Sequence, residues 1–563
     1  MAVVLAAITP VRPILIQLTV DKYIANSIPR MVITITIIQI GMILIETAFR
    51  FLFTFITSWL GQSVVRDLRV TVYKKILGLN LSQFDKTPIG TLTTRTINDI
   101  ESINDIFSDG LVPIIADMLS IVCIVGVMFW MDWRLSLVAL IPFPIILIAT
   151  YYFKESVKHS FQRVRNAVAA LNAFVQEHLT GMQVVQAFAS EEREFEKFKK
   201  INREHRNANI NAIFAYSVFF PIVEIVSALS IGFIVWWSAK EALHLNHGQQ
   251  GTVMAFILFL NLLFRPLRVI ADKFNVLQMG MVASERVFKV LDNKDFIPVP
   301  IATGTDEKAF APTGSAKGKI DFENVWFAYD EHNYVLKDIS FHVNAGETVA
   351  IVGHTGSGKT TIISLMNRLY HIQKGAIKID NVNIENYHLD ALRKNIGVVL
   401  QDVFLFSGSV LDNITLRNPE ISRDRVMEAA KLIEMHDFIM RLPGGYDYNV
   451  MERGATLSLG QRQLLSFIRA LLYNPSVLIL DEATSSVDTE SEMLIQHAID
   501  TLIKGRTSII IAHRLSTIRK ANKIIVLDKG EIKEIGTHEE LLDKQGFYHK
   551  LYQLQFEQKN KVA

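Results

Sequence analysis

Six long apolar runs occupy the first half of this chain, and they restrict its fold more than any other feature. The runs cover residues 3–20, 31–60, 107–130, 135–153, 212–238 and 252–270. A helix of about 20 apolar residues suffices to cross the hydrocarbon core of a bilayer. We therefore predict an all-α polytopic membrane domain with six spans over residues 1–291, embedded in a lipid bilayer.

The start of the chain does not look like a secretory signal. The first run begins without a polar lead-in, and Pro10, Arg12 and Pro13 interrupt it. A secretory signal has a basic start and a cleavage site of small residues, and both are missing here. We expect that a flanking segment is missing before residue 1; a short natural terminus is the alternative.

Positive charge indicates which side of the membrane each loop faces. Six spans place both chain ends on the same side. The segments between spans two and three and between spans four and five carry the basic residues Arg66, Arg69, Lys74, Lys75, Lys86, Lys154, Lys158, Arg163, Arg165, Lys197, Lys199 and Lys200. Basic loops stay on the cytoplasmic side, so both termini are predicted to be cytoplasmic.

Two helices are predicted to extend well beyond the membrane. Between Pro29 and Pro88 there is no proline, and the apolar spacing continues past the second run, which predicts one helix over 31–77, about 70 Å long. Span four runs to Thr180 without glycine or proline, and Gly181 ends it. The cytoplasmic links near 84–90 and 185–192 are either contact sites for another domain or plain turns between helices.

Charged residues inside the spans need partners or water, because an isolated charge in hydrocarbon is costly. Glu46 and Arg50 are four residues apart and are predicted to pair on one helix. Asp117 and Glu224 have no such neighbour. They either line a substrate cavity or pair with one of three arginines on other spans, namely Arg12, Arg265 and Arg268.

The second half has the composition of a water-exposed α/β domain. Residues 292–318 form a predicted linker, 319–558 a globular domain and 559–563 a tail. The formal net charge of the whole chain is +2, which gives no support for a nucleic-acid partner. Cys123 is the single cysteine, so an intrachain disulfide and a cysteine zinc site are excluded.

A phosphate-binding loop follows the apolar run 348–352. It matches G-x-x-x-x-G-K-[ST] and precedes a predicted helix over 361–370. Its glycines let backbone N–H groups surround phosphate oxygens, Lys359 supplies positive charge, and the Thr360 hydroxyl suits Mg²⁺. The predicted nucleotide-binding residues here are Gly353, His354, Thr355, Gly356, Ser357, Gly358, Lys359, Thr360 and Thr361.

Two adjacent carboxylates follow a second apolar strand, 477–480. At a strand end such a pair can divide its roles: Asp481 is predicted to face Mg²⁺, and Glu482 to polarise the attacking water. Further upstream, Ser458 and Gln461 have the spacing of a capping box at the start of a helix that runs to about Leu472. This helix start is either a simple cap or a second anion site.

In order along the chain, these motifs resemble the ATP-binding cassette domain, and the whole chain resembles half-size exporters of that class. The resemblance implies that Tyr329 stacks on adenine and that Gln401 senses Mg²⁺ and the lytic water. It also implies that residues 451–454 couple the domain to the membrane helices. Residues Leu457 to Gln461 resemble the signature, in which Ser458, Gly460 and Gln461 would contact ATP. Asp488 lies in the stretch 486–488, which resembles the loop after the acidic pair, and its match implies a contact with the nucleotide. His513 resembles the switch histidine.

The resemblance further implies an ATPase that works as a dimer. Two cassettes would enclose two ATP molecules with Mg²⁺, each held by the P-loop of one and the signature of the other. Export of a hydrophobic drug, lipid or peptide across a bacterial plasma membrane is the predicted function. An importer and an ATP-gated channel or regulator are the alternatives, whereas a soluble cassette ATPase would not have six spans.

One residue departs from the family pattern. Leu459 stands in the signature where the family most often has glycine. A side chain there would crowd a phosphate that approaches the helix start. We expect a slower ATP site, in either a heterodimer with a complementary partner chain or a homodimer that tolerates leucine.

Overall fold

The computed structural model describes residues 1–245, 250–295, 317–330, 333–481, 489–512 and 515–554. They form two compact units. The first consists of Met1–Gly78 and Thr87–Lys294, and the second of Leu79–Lys86 and the chain from Asp295 onward. Within the described residues the first unit is helical and the second contains the strands, which confirms the predicted fold class.

Twelve helices precede the first strand among the described residues. They are α1 Ala2–Ile8, α2 Val11–Leu18, α3 Pro29–Leu77, α4 Leu81–Lys86, α5 Ile89–Thr96, α6 Asn98–Asp105, α7 Leu111–Met131, α8 Trp133–Leu140, α9 Phe143–Thr180, α10 Met182–Ala187, α11 Glu191–Leu245 and α12 Gln250–Leu291. Two π-helical turns, Thr19–Ile24 and Ile106–Gly110, continue α2 and join α6 to α7. The described residues contain six helical stretches that are long and apolar enough to cross a membrane, as predicted.

The long helices are continuous, as the sequence predicts. Helix α3 has 49 residues and begins with Pro29, two residues before the predicted start. Proline suits the first turn of a helix because its missing N–H would have no partner there. Helix α9 ends at Thr180, and the N–H of Gly181 bonds to the carbonyl of Glu177 at 2.8 Å. Both helices extend well past the apolar runs that they contain.

Two of the charged groups inside the spans have ion-pair partners among the described contacts, and one of these partners differs from the prediction. Arg50 and Glu46 form the expected ion pair at 2.8 Å. Asp117 on α7 pairs with Lys273 on α12 rather than with Arg12 or Arg265, and the side chain of Arg268 lies outside the described residues. Lys273 lies three residues beyond the predicted end of span six, and 156 residues separate the two partners. Sequence distance gave no indication that these two helices pack together.

The core of the first unit lies around α12. Its residues Phe256, Phe259, Leu260 and Leu263 are fully buried. They pack against side chains of α7, α8, α9 and α11, among them Ile124, Leu135, Ile146 and Ile234. This repeat of buried residues three and four apart is the pattern of a helix with its apolar face toward neighbouring helices.

Ten strands and ten further helices lie in the described part of the second unit. The strands are β1 Ile320–Ala328, β2 Tyr334–Val343, β3 Thr348–Val352, β4 Lys374–Ile379, β5 Val382–Asn383, β6 Ile396–Val399, β7 Val477–Asp481, β8 Thr507–Ile511, β9 Lys523–Asp528 and β10 Glu531–Gly536. The helices are α13 Lys359–Met366, α14 Leu389–Asn395, α15 Val410–Thr415, α16 Arg423–Leu432, α17 His436–Arg441, α18 Leu459–Tyr473, α19 Thr489–Ile503, α20 Leu515–Lys520, α21 His538–Asp543 and α22 Phe547–Tyr552.

Two sheets organise these strands. The larger has the order β10-β9-β3-β8-β7-β6, in which β10 is antiparallel and the others are parallel. The smaller is antiparallel, with the order β2-β1-β4-β5. All residues of β3, β7 and β8 are buried, as expected for central strands covered on both faces. Their carboxyl ends meet at one edge, where ligands bind in open α/β sheets.

The predicted strands of this domain are confirmed to within two residues, but the predicted end of helix 361–370 was wrong. Helix α13 already ends at Met366. Arg368 takes a left-handed backbone conformation, φ +51°, which cannot continue a helix. Its guanidinium is buried and donates to the carbonyls of Ile384 and Tyr387. Those contacts come from a later part of the chain and are absent from any local pattern.

Candidate active site

A cavity of about 400 Å³ lies at the carboxyl edge of the larger sheet. Nine of the predicted site residues line it, namely Tyr329, Thr355, Gly356, Gly358, Lys359, Thr360, Thr361, Gln401 and Asp481. Val335 and Ile511 also line it and had no sequence signal beyond their strand patterns. The nine predicted residues alone come from four separate stretches of chain that are brought together at one site.

The loop between β3 and α13 depends on its glycines. Gly358 caps α13 with φ +103°, a conformation that residues with a side chain rarely adopt. A Cβ atom added to Gly353 would lie 2.1 Å from the carbonyl oxygen of Leu527 on β9. The loop therefore lies tightly against the sheet, and its backbone N–H groups and the start of α13 form a natural anion site.

Lys359 is held inside this loop. Its Nζ donates to the carbonyls of Gly353 and His354, both at 2.9 Å, and only 7 % of the residue is exposed. Burial lowers the pKa of the ammonium, and the nearby Asp481 carboxylate opposes that shift. The buried Ser357 Oγ has no hydrogen-bond partner within the described residues. A fixed cation and an unpaired buried hydroxyl in one glycine loop fit a phosphate group.

Three oxygen-bearing side chains provide a candidate Mg²⁺ site in the same cavity. Asp481 ends β7, Gln401 follows the neighbouring β6, and Thr360 lies in the first turn of α13. Burial raises the pKa of Asp481; Lys359 lowers it, and Asp402 raises it further. The described residues contain no group of three His, Cys, Asp or Glu that could hold a metal alone. This donor set suits Mg²⁺ that arrives with nucleotide phosphates, whose charge the ion would neutralise.

Tyr329 is positioned as a platform at the rim of the cavity. Its hydroxyl lies 3.0 Å from Thr361 Oγ1. Phe327 and Tyr370 contact the ring edge-on, with centroid distances of 4.8 and 5.1 Å. The residue is 44 % exposed, so its ring remains accessible to a base. Tyr370 was missed from the sequence, because nothing local indicates that it packs against Tyr329.

Replacing Tyr329 with alanine is expected to raise the KM for ATP about tenfold and to change kcat little. Stacking on an aromatic side chain contributes about 1–3 kcal/mol per base. Tyr329→Phe keeps the ring and loses only the contact with Thr361, so its KM should stay within about twofold of wild type. Steady-state ATPase assays over a range of ATP concentrations measure both variants. Equal KM values for alanine and wild type would contradict the stacking role.

The signature residues line a different cavity from the P-loop. Ser458 caps α18: its Oγ accepts from the N–H of Gln461 at 3.3 Å, and Gln461 Oε1 accepts from the N–H of Ser458 at 2.9 Å. Ser458 and Gln461 line a cavity of about 930 Å³ with residues of α16 and α17, and Gly460 is buried beside them. The capping box is confirmed. In a single chain, the P-loop cavity lacks this helix start.

Leu459 occupies the first helical position of α18, and its φ is not positive. The backbone there does not need glycine, so leucine causes no backbone strain. The preceding segment forms a 3₁₀ turn, Glu452–Gly454, in which Arg453 has φ +55° and its carbonyl accepts from Arg462. Any effect of Leu459 must therefore come from the space that its side chain takes.

Three predicted residues lie outside the described part of the chain, namely Glu482, Asp488 and His513. The elements next to them are described. Asp481, at the end of β7, directly precedes Glu482; α19 begins at Thr489, directly after Asp488; and β8 ends at Ile511, two residues before His513. Their roles remain predictions from the sequence.

Comparison with known proteins gives matches in both halves. The family model described as the ABC transporter transmembrane region matches residues 1–267, and the one described as ABC transporter matches residues 336–485. A putative ABC transporter ATP-binding protein of Streptococcus pneumoniae is 38 % identical, over 97 % of this chain and 92 % of its own length.

Two other relatives have more specific names. The ATP-dependent lipid A-core flippase of Syntrophus aciditrophicus is 38 % identical, over 89 % of this chain and 82 % of its own length. A probable multidrug resistance ABC transporter ATP-binding/permease protein of Bacillus subtilis is 35 % identical, over 93 % of this chain and 77 % of its own length.

Proposed function

This chain belongs to the ABC transporter family and is an ATPase, and we propose that it exports a hydrophobic or amphipathic solute from a bacterial cell. The proposal depends on one observation: a single chain contains both membrane-spanning helices and a cavity suited to a nucleotide. Six helical stretches can cross a membrane, and a cavity in the second unit collects Lys359, Gln401 and Asp481. Such a chain has the means to couple ATP hydrolysis to movement of a solute through helices.

The direction and the substrate class are inferred from the relatives. One is named as a lipid A-core flippase and another as a multidrug resistance transporter. The first name refers to a lipid, which is amphipathic, and the second to drugs. The six stretches of this chain likewise expose many large apolar side chains, including Phe51, Phe55 and Trp59 on α3. These surfaces suit contact with lipid or with an apolar solute in the plasma membrane.

The working unit is proposed to be a dimer. The P-loop cavity of one chain lacks the signature residues, which line a separate cavity around Ser458 and Gln461. The capped start of α18 is suited to an anion, because its free N–H groups point out of the helix. A second half-transporter, identical or different, would supply its α18 to the phosphates bound at Lys359.

A transport assay in vesicles tests the proposal. Inside-out vesicles given MgATP should accumulate members of a panel of fluorescent lipids and cationic dyes, and right-side-out vesicles should not. Vesicles with Glu482→Gln protein serve as the control for passive entry. Uptake into right-side-out vesicles would indicate an importer, and ATP-dependent ion currents without accumulation would indicate a channel.

Replacing Leu459 with glycine tests the signature. If the chain forms a homodimer, Leu459→Gly should raise the ATPase kcat severalfold, because the phosphate of the opposite site could approach the start of α18 more closely. Leu459→Ala should give an intermediate rate, since it removes most of the side chain. The rate of purified protein in lipid is measured with and without candidate partner chains. An unchanged kcat in both cases would contradict the steric explanation.

A further inference from the structure

The carboxylate of Asp295 accepts hydrogen bonds from the segment that contains α4. Asn80 Nδ2 donates to its Oδ1 at 2.5 Å, while Gln83 Nε2 and Ser82 Oγ donate to its Oδ2 at 2.5 and 3.1 Å. The N–H of Asn80 also donates to the Asp295 carbonyl at 3.3 Å. All four residues belong to the second compact unit. We call this group of contacts the α4 latch.

The latch joins two points that directly follow membrane helices in the chain. Asn80 comes three residues after the end of α3 at Leu77, and Asp295 comes four residues after the end of α12 at Leu291. Links this short restrict how far Asn80 can move from the end of α3 and Asp295 from the end of α12, since each residue spans at most about 3.6 Å. Whatever moves α4 must therefore act on the ends of α3 and α12 together.

The other end of α4 bonds to a neighbour of the proposed nucleotide site. Tyr370 donates a hydrogen bond from its hydroxyl to Asp85 in the last turn of α4, at 2.6 Å. Its ring contacts Tyr329, the predicted adenine platform, edge-on. Helix α4 is thus attached at its start to the latch and at its end to Tyr370, which contacts the cavity-lining Tyr329.

We propose that Asp295 is a positioning residue that ties the start of α4 to the chain just after α12, so that a movement that reaches α4 from Tyr370 on closure around ATP is transmitted to α3 and α12 together. This inference rests on the proposed function, because it assumes that ATP drives a change in the membrane helices. Without the latch, α4 would lose the hydrogen bonds at its start and keep the one at Asp85. The nucleotide site would still hydrolyse ATP, but the membrane helices would follow its closure less completely.

The chemistry of the latch favours a carboxylate at position 295. Burial raises the pKa of Asp295, but hydrogen bonds from Asn80, Gln83 and Ser82, with the charge of Lys86, outweigh burial and leave the pKa below its ordinary value. The charged form is therefore the stable one. Hydrogen bonds to a charged acceptor are roughly twice as strong as those between neutral groups. Asn80 is itself buried, at 7 % exposed, which adds to the cost of losing its partner.

The experiment uses the full chain in lipid nanodiscs with its dimer partner and follows the outer ends of the spans. Nitroxide labels at Ser27→Cys, in the turn before α3, and Trp133→Cys, at the start of α8, are introduced in a Cys123→Ser background. Both positions lie at span ends opposite the basic loops, and pulsed electron paramagnetic resonance measures the distance between them. Distances are recorded without nucleotide and after trapping with MgATP and vanadate. Steady-state ATPase kcat and KM are measured on the same samples.

Asp295→Ala is expected to lose at least half of the trapping-induced distance change, with kcat and KM within about twofold of the otherwise unmutated labelled protein. Asn80→Asp should have the same effect, because it places two carboxylates side by side. The double variant Asn80→Asp with Asp295→Asn exchanges the two groups and should restore the change. If Asp295→Ala does not fold, Asn80→Asp and the exchanged pair decide the matter.

Two kinds of result are distinguishable. A full distance change in Asp295→Ala or Asn80→Asp, or an exchanged pair that fails to recover it, would overturn the latch while leaving the transporter intact. Labelled protein that hydrolyses ATP but shows no distance change upon trapping, and accumulates no solute in vesicles, would overturn the proposed function itself. Ser422→Ala, which removes the cap of α16 away from the latch, is the matched control and should behave as the unmutated protein.

Discussion

Replacing Lys359 with alanine is expected to lower the ATPase rate at least about 100-fold, since removal of one preorganised donor to a developing charge costs about 10² to 10³ in kcat. ATP binding should weaken as well, because a hydrogen bond to a charged group contributes about 1.5–3 kcal/mol. The ammonium is already preorganised: it is buried and held by two carbonyls of the P-loop. Alanine leaves both carbonyls without their donor.

The measurement pairs ATPase rates with equilibrium binding of a fluorescent ATP analogue. Lys378→Ala is a matched control, because Lys378 lies on β4 and contacts Glu323 at 2.7 Å, away from the cavity residues. It should hydrolyse ATP at the wild-type rate. A Lys359→Ala protein that keeps more than a tenth of wild-type turnover would contradict the assignment of this cavity as the ATP site.

Replacing Glu482 with glutamine is expected to stop hydrolysis while preserving ATP binding. A general base contributes about 10² to 10⁴ to the rate, and glutamine has the same shape without the ability to take a proton. Because Lys359 and the P-loop are intact in this variant, the affinity for ATP should remain near wild type. Solute accumulation in inside-out vesicles should fall to the level of vesicles without ATP.

The control for this variant is Glu323→Gln, which makes the same chemical change at the pair with Lys378. Binding and hydrolysis are measured on the same preparations, so that a folding defect is recognised by lost binding. Solute transport at the normal rate with Glu482→Gln would show that hydrolysis does not drive the movement. Comparison of the two variants also separates ATP binding from ATP hydrolysis, since Lys359→Ala should weaken ATP binding and Glu482→Gln should keep it.

The features that the sequence predicts well are those with short-range causes. The P-loop is a contiguous stretch of eight residues between a strand and a helix, so its position and the identity of Lys359 follow from local spacing. The ends of α3 and α9 follow equally from Pro29 and Gly181, which act on their own backbone. The capping box at Ser458 is also local, and the structure contains both of its hydrogen bonds.

Features that depend on distant residues were missed or were wrong. The partner of Asp117 is 156 residues away, so that the pairing with Lys273 depends on how α7 and α12 pack. Helix α13 ends early because Arg368 bonds to carbonyls 16 and 19 residues further along. Tyr370 adjoins the proposed ATP site through its edge-on contact with Tyr329, and nothing near it in the chain indicates that contact.

The sequence by itself determined that this chain has six apolar helical stretches followed by a P-loop domain, because apolar length and glycine spacing act within a few residues. Only the tertiary structure decided which side chains share the cavity at the P-loop, that the signature lines another cavity, and that Asp295 bonds to the segment that contains α4. These depend on strand order and on contacts between segments up to 215 residues apart. Local backbone preferences determine neither the strand order nor these long-range contacts, because they act only between neighbours in the chain.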